Sequence, residues 1–309
     1  MGKISEFFRD FKYRINCMKN GNIEEYKDYK ASKKLKSQDI ARYSEYVRDY
    51  TRSFESIKNK YSPDSVKYQN ALEEANRWRY VLNETMLEKE FIRPNSKEDI
   101  EYRERIATTY PERIKEAVSD NLNIRFHGTP IYFAKQILES GGITSSGDRF
   151  DGYIKSTDRV GEISVTTKNE LSRTINFFSD ISAYQRNLPC GAIFVVVPQK
   201  EDAEYEGQAL MHNVDFKRNP DQLFAIISSP ENIDNLKEWT KSAGLPEDKV
   251  YEFEDFLNFV RKYSNYIDGQ AMFKNKIINS HTPTTPLPLM QSVQNQTKSI
   301  SDDTREFND

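Results

Sequence analysis

Cysteine and histidine are scarce in this chain of 309 residues, which has two of the first, Cys17 and Cys190, and three of the second, His127, His212 and His281. Two cysteines this far apart fit no zinc, haem or thioredoxin-type spacing, so they read as reduced thiols suited to a cytosolic environment. No apolar run approaches the length needed to cross a bilayer, and the N-terminus lacks the apolar stretch of a secretory signal, so a soluble protein is expected. Neither sign of charge dominates. A net charge of −3 and a pI near 5.9 argue against a protein that coats nucleic acid. Gly2 follows Met1, but Glu6 stands where a myristoylation signal needs Ser or Thr, and no acylation is expected.

What the chain does have is charge and aromatic rings. At 30% charged and 37% hydrophobic it is too polar for its whole length to be dense core, which points to one globular domain with helical additions. Its 18 Tyr and 18 Phe supply a core built more on aromatics than on Leu or Val. Folding should need no metal.

Periodicity divides the chain. Phe7, Phe8, Phe11, Ile15 and Met18 lie among Arg9, Lys12 and Arg14, a short amphipathic helix suited to docking on the protein's own helices or, over residues 4–18, to a membrane surface. Ile40, Tyr43, Val47, Tyr50, Phe54, Ile57 and Tyr61 predict a helix from Asp39 to Tyr61, broken by Ser62-Pro63-Asp64. A second helix carries Leu72, Ala75, Trp78, Leu82 and Met86 towards Pro94, and the two should pack antiparallel. A third is expected from about Ser96 to Val118, with a break at Tyr110-Pro111. The aromatic stripes serve either as core or as a docking surface. Residues 1–119 are thus an α-helical region, 120–270 an α+β domain and 271–309 a disordered polar tail rich in Thr, Pro, Ser, Gln and Asp.

The second region alternates short apolar runs with polar turns. Asn123-Ile-Arg-Phe-His-Gly-Thr129 reads as a strand delivering a histidine and a bare backbone to a loop. The following helix, with Ile131, Ala134, Ile137 and Leu138 on one face, stops at Gly141-Gly142. Strands are expected at Glu162–Thr167, Ala192–Pro198, Met211–Phe216 and Leu223–Ile227. Thr167 and Glu170 form a capping box opening a helix with Leu171, Ile175 and Phe178 inward, and Pro246 to Ile267 returns to helix with Val250 among its inward residues.

The histidine strand, its helix, the Ser/Thr strand that caps another helix and a late acidic site before an apolar strand together resemble the ADP-ribosyltransferase superfamily, over about residues 121–233. The resemblance implies a split β-sheet fold, preceded here by the α-helical region, and NAD as substrate with no metal. It implies that His127 bonds the nicotinamide ribose, that the backbone of Gly128 holds the carboxamide, and that Thr129 supports the loop. Ser164 and Thr166 fall where hydroxyls orient the histidine or the acid, although β-propensity explains them as well. Phe177 or Phe178 stands where a ring stacks on nicotinamide, or packs in the core. Arg149 and Tyr153, in a covering loop or a plain surface turn, and Arg125, two residues before His127, are candidates to meet the cofactor. The family's catalytic glutamate is matched first by Asp221, with Gln222 as neighbour. Asp is shorter and Gln is uncharged, so either replacement weakens or abolishes transfer. Glu204 and Glu206 are a substitute pair or loop charges.

The expectation is a mono-ADP-ribosyltransferase acting on a protein acceptor, in the manner of a bacterial effector or toxin delivered into a host cell. The alternative is a catalytically silent module of that fold, recruiting a partner through its N-terminal helices. Catalysis requires His127, Ser164 and the acid to converge on one cleft.

Overall fold

The computed structural model describes residues 2–94, 96–144, 162–171, 187–199 and 210–279. Met1–Ser264 form one compact unit and Asn265–Asp309 a second. The described residues make a mostly helical α+β protein with seven α-helices and eight strands.

Four helices come first: α1 (Gly2–Lys19), α2 (Ile23–Lys58), α3 (Val66–Phe91) and α4 (Lys97–Ala117). α2 begins well before the expected Asp39. The lysine-rich stretch ahead of Asp39 shows little apolar stripe, yet Tyr29 is 1% exposed, its hydroxyl bonded to Asp10 of α1 and its ring packed on Tyr13 and Tyr26. Tertiary docking therefore supplies the stabilisation that periodicity did not reveal. Further along the hairpin, Trp78 of α3 lies against Tyr43, Tyr46 and Tyr50 of α2 at 5.7, 4.6 and 6.0 Å between ring centroids. Ser65 caps α3 by accepting the Tyr68 N–H.

α4 opens on a capping box between Ser96 and Asp99 and runs unbroken through Pro111, where a break was expected. Proline inside a helix costs about 3 kcal/mol. Burial of Ile106, Tyr110 and Ile114, and the Tyr110 hydroxyl donating to the Phe253 carbonyl at 2.7 Å, offset that cost.

β1 (Arg125–Thr129) leads into α5 (Ile131–Ser140), which ends at Gly141 with φ +81°, a conformation open to glycine. Then come β2 (Gly142–Ile143), β3 (Glu162–Ser164), β4 (Ala192–Val196), β5 (Leu210–His212), β6 (Val214–Asp215), β7 (Leu223–Ser228), α6 (Ile233–Ser242), β8 (Val250–Glu252) and α7 (Phe253–Asn279). The main sheet has the order β1-β4-β7-β8, with β8 parallel to β7 and the other pairs antiparallel. β2 pairs with β6 and β3 with β5.

β4 is buried throughout because the sheet is covered on both faces. Ile193 and Val195 meet Ile114 of α4 and Phe253 and Leu257 of α7; Phe194 and Val196 meet Ile137 of α5 and Leu236 of α6. α4 thus shares a core with the sheet. Val250, expected in a helix, is in β8 and pairs with Ile226. A β-branched residue in a short apolar run fits either period, and the open edge of β7 decided between them. α7 continues past residue 270 to Asn279, and residues 280–309 lie outside the described residues.

Candidate functional site

β1 has a different partner on each side. On one, its five residues pair with β4, Arg125 opposite Val196 and His127 opposite Phe194. On the other, Phe126 alone pairs with Thr166, each N–H donating to the other's carbonyl at 2.9 Å. Thr166, 6% exposed, also directs its hydroxyl at the Phe126 carbonyl. In this register Gly128 would next pair with Ser164, but the bridge is isolated. The Ser164 carbonyl instead meets Nδ1 of His127 at 2.8 Å. The imidazole contact stands where the next bond of a regular ladder would form.

The geometry fixes the ring chemically. A carbonyl can only accept, so Nδ1 carries hydrogen and Nε2 is the acceptor of the neutral ring. Strand alternation fixes the glycine too. Because the Phe126 N–H and C=O point to the β3 side, those of His127 point to β4 and those of Gly128 point into the split. One donor and one acceptor therefore face the opening beside the imidazole.

The remaining candidates are dispersed. Thr129 is buried at the end of β1, where Gly191 abuts its carbonyl. Arg125 shares the His127 face but donates to the Asn123 side chain at 2.6 Å and the Ile124 carbonyl at 3.1 Å. Ser164 contributes its main chain to the histidine contact. Asp221 is exposed in a 3-10 turn, Pro220–Gln222, that feeds β7. Leu223 is level with Val196 and Arg125, and Ile226 with Phe194 and His127, so β4 stands between the turn and β1. Neither Asp221 nor Gln222 is brought to His127. Gln222 is 7% exposed and its side-chain amide has no hydrogen-bond partner. Lys249 clamps the turn by donating to the Pro220 and Leu223 carbonyls. Burial lowers the pKa of Lys249, against the opposing charges of Asp221 and Asp248.

β5 lies along the edge of β3 that faces away from β1. Its Leu210 pairs with Ser164 and its His212 with Glu162. The chain enters β5 from Glu204-Tyr-Glu206. Glu204, Glu206, Arg149, Tyr153, Phe177 and Phe178 lie outside the described residues. At the expected capping box the Thr167 hydroxyl accepts the Asn169 N–H at 3.3 Å, while the Glu170 N–H reaches the Thr167 carbonyl at 3.2 Å.

A second polar centre carries no local sequence signal. Glu231, just before α6, pairs with Arg93 at 2.8 Å and with the buried Arg103 at 3.3 Å, and accepts the Cys190 N–H. Burial acts to raise its pKa, but Arg93, the Ser229 hydroxyl and Arg103 outweigh it and leave the carboxyl below the usual range. Burial pushes the neighbouring Cys190 thiol up to about 12, so it is not a thiolate nucleophile near neutral pH.

Among the described residues, no group of three or more His, Cys, Asp or Glu is placed to hold a metal ion, and no helix is long and apolar enough to cross a membrane. No protein-family model matches the chain, and no curated protein and no solved structure matches it.

Proposed function

We propose that the chain is a mono-ADP-ribosyltransferase that uses NAD to modify a protein, with the opening between β1 and β3 as its nicotinamide site. The observation that carries this reading is the Gly128 backbone facing the split beside a histidine whose tautomer is set by Ser164. A carboxamide offers one acceptor and one donor set, which a glycine N–H and C=O complement without a side chain in the way. In the neutral ring, Nε2 serves as acceptor for a ribose hydroxyl.

The reaction breaks the bond between ribose C1′ and the nicotinamide nitrogen, with the electron pair leaving on nicotinamide. The acceptor's nucleophile forms the new bond at C1′ and loses its proton. Positive charge develops on the ribose as the first bond breaks, so a carboxylate near the 2′-hydroxyl lowers the barrier. Asp221 is separated from β1 by β4. With Asp221 so placed, Glu204 or Glu206 is the remaining source of the carboxylate in this reading. In this reading the helical hairpin recruits the target and the protein acts as a delivered bacterial effector or toxin.

Incubating the full chain with labelled NAD and a panel of protein and nucleic-acid acceptors tests the proposal. Label transfer or nicotinamide release supports it. Binding of NAD without turnover points instead to the silent module, and the absence of both binding and consumption ends the NAD reading.

A further inference from the structure

A polar cluster joins the helical hairpin to the helix that follows the His127 strand. Tyr132 lies in the first turn of α5 and is buried. Its hydroxyl is 3.3 Å from Oε1 of Glu84 and 3.2 Å from Oε1 of Glu88. Both carboxylates belong to α3 and stand one turn apart on the same face. Lys36 of α2 pairs with Glu88 through its other oxygen, and Tyr80 of α3 bonds Glu84. The groups facing one another are thus Lys36, Tyr80, Glu84, Glu88 and Tyr132, drawn from α2, α3 and α5.

One phenolic hydrogen cannot serve two carboxylates fully. With both ionised, one ammonium also faces two negative charges in a partly buried place. Burial and the charge of Glu88 hold the Glu84 carboxyl above the usual range, against the opposing pull of Tyr132, Tyr80 and Lys36. A proton on Glu84 removes the like-charge repulsion and supplies a second O–H to the cluster.

We propose that this cluster is a proton-operated clasp between the hairpin and the end of the His127 strand, tightening α3 on the first turn of α5 when Glu84 takes up a proton and loosening it when the proton leaves. Only Pro130 and Ile131 separate Thr129 from Tyr132 along the chain, so the clasp bears directly on the loop after Gly128. A carboxyl whose folded-state pKa lies above its unfolded value contributes least when ionised. The contribution of Glu84 is therefore lost as pH rises through its folded value and regained on the acid side. The clasp concerns docking of the hairpin and is independent of the NAD reading.

Amide hydrogen exchange on the full chain, followed in peptides of α5 from the ordinary glutamate value of about 4.3 up to about pH 7.5 and corrected for the intrinsic exchange rate, tests the clasp. The wild type should show several-fold greater protection of α5 at the acid end. Glu84→Gln, which keeps the hydrogen bonds without the charge, should show high protection at both ends. The same pH dependence in both proteins, or none in the wild type, overturns the clasp. Should Glu84→Gln misfold, carboxyl NMR titration of the wild type decides: Glu84 above the ordinary glutamate range supports the clasp, and Glu84 within that range overturns it.

Discussion

His127 Nδ1 meets the main-chain oxygen of Ser164 at 2.8 Å, in the place where a regular ladder would set the Gly128 N–H. A side chain has taken the acceptor, and the glycine backbone is directed at the opening. His127→Ala should therefore lower NAD turnover by roughly 100-fold. Ser164→Ala should change it by less than about threefold, because the contact is through the carbonyl and the hydroxyl can be spared. Steady-state nicotinamide release, with melting temperatures as a control for folding, distinguishes the two.

The acidic group is separable in the same assay. Glu206→Gln should reduce transfer by roughly 100-fold or more, whereas Asp221→Ala, on the far side of β4, should leave it within about threefold. The reverse ranking would return the catalytic role to the turn before β7.

Gly191 tests the support behind the site. A Cβ there would overlap the Thr129 carbonyl, which is backbone and cannot swing aside. Gly191→Ala should shift the end of β1, cost about 1–3 kcal/mol and weaken NAD binding, as calorimetry and chemical denaturation would show. Unchanged values for both would mean that the strand end yields freely.

Glu231 tests the joint between the helices and the sheet. Glu231→Gln removes the negative charge shared by Arg93 and the buried Arg103 and should cost about 3 kcal/mol, or about 6–12 °C in melting temperature. The folded-state pKa of Glu231 is depressed, so its contribution is present above the unfolded glutamate value and lost as pH falls through the folded value. The gap between mutant and wild type should be full at neutral pH and close in acid. Thermal melts across the acid range read this directly.

Much of the fold was legible because it is written in local patterns. The strand at Ala192–Val196 is a continuous apolar run, α5 shows a four-residue apolar face with a glycine stop, and the hairpin declares itself through Tyr43, Tyr50 and Trp78. What was hidden depends on residues far apart in the chain. The first turns of α2 gain stability from Asp10 and Tyr13 of α1, the unbroken α4 from Phe253, and β8 from the edge of β7. None of these partners is visible in a local window.

The candidate site divides in the same way. His127 and Gly128 were evident as a histidine and a flexible backbone at a strand end, and the Ser164–Thr166 strand as their counterpart. Asp221 was chosen by its place in the sequence, just before an apolar strand, and the sheet order then set it on the other side of β4. Sequence by itself determined the long apolar strand, the amphipathic helices and the chemical types available at each strand end, because side-chain periodicity and backbone freedom are local properties. Only the tertiary structure decided which strands are neighbours, how Ser164 orients the imidazole and which way the Gly128 backbone faces, because pairing and register arise from long-range burial and hydrogen bonding.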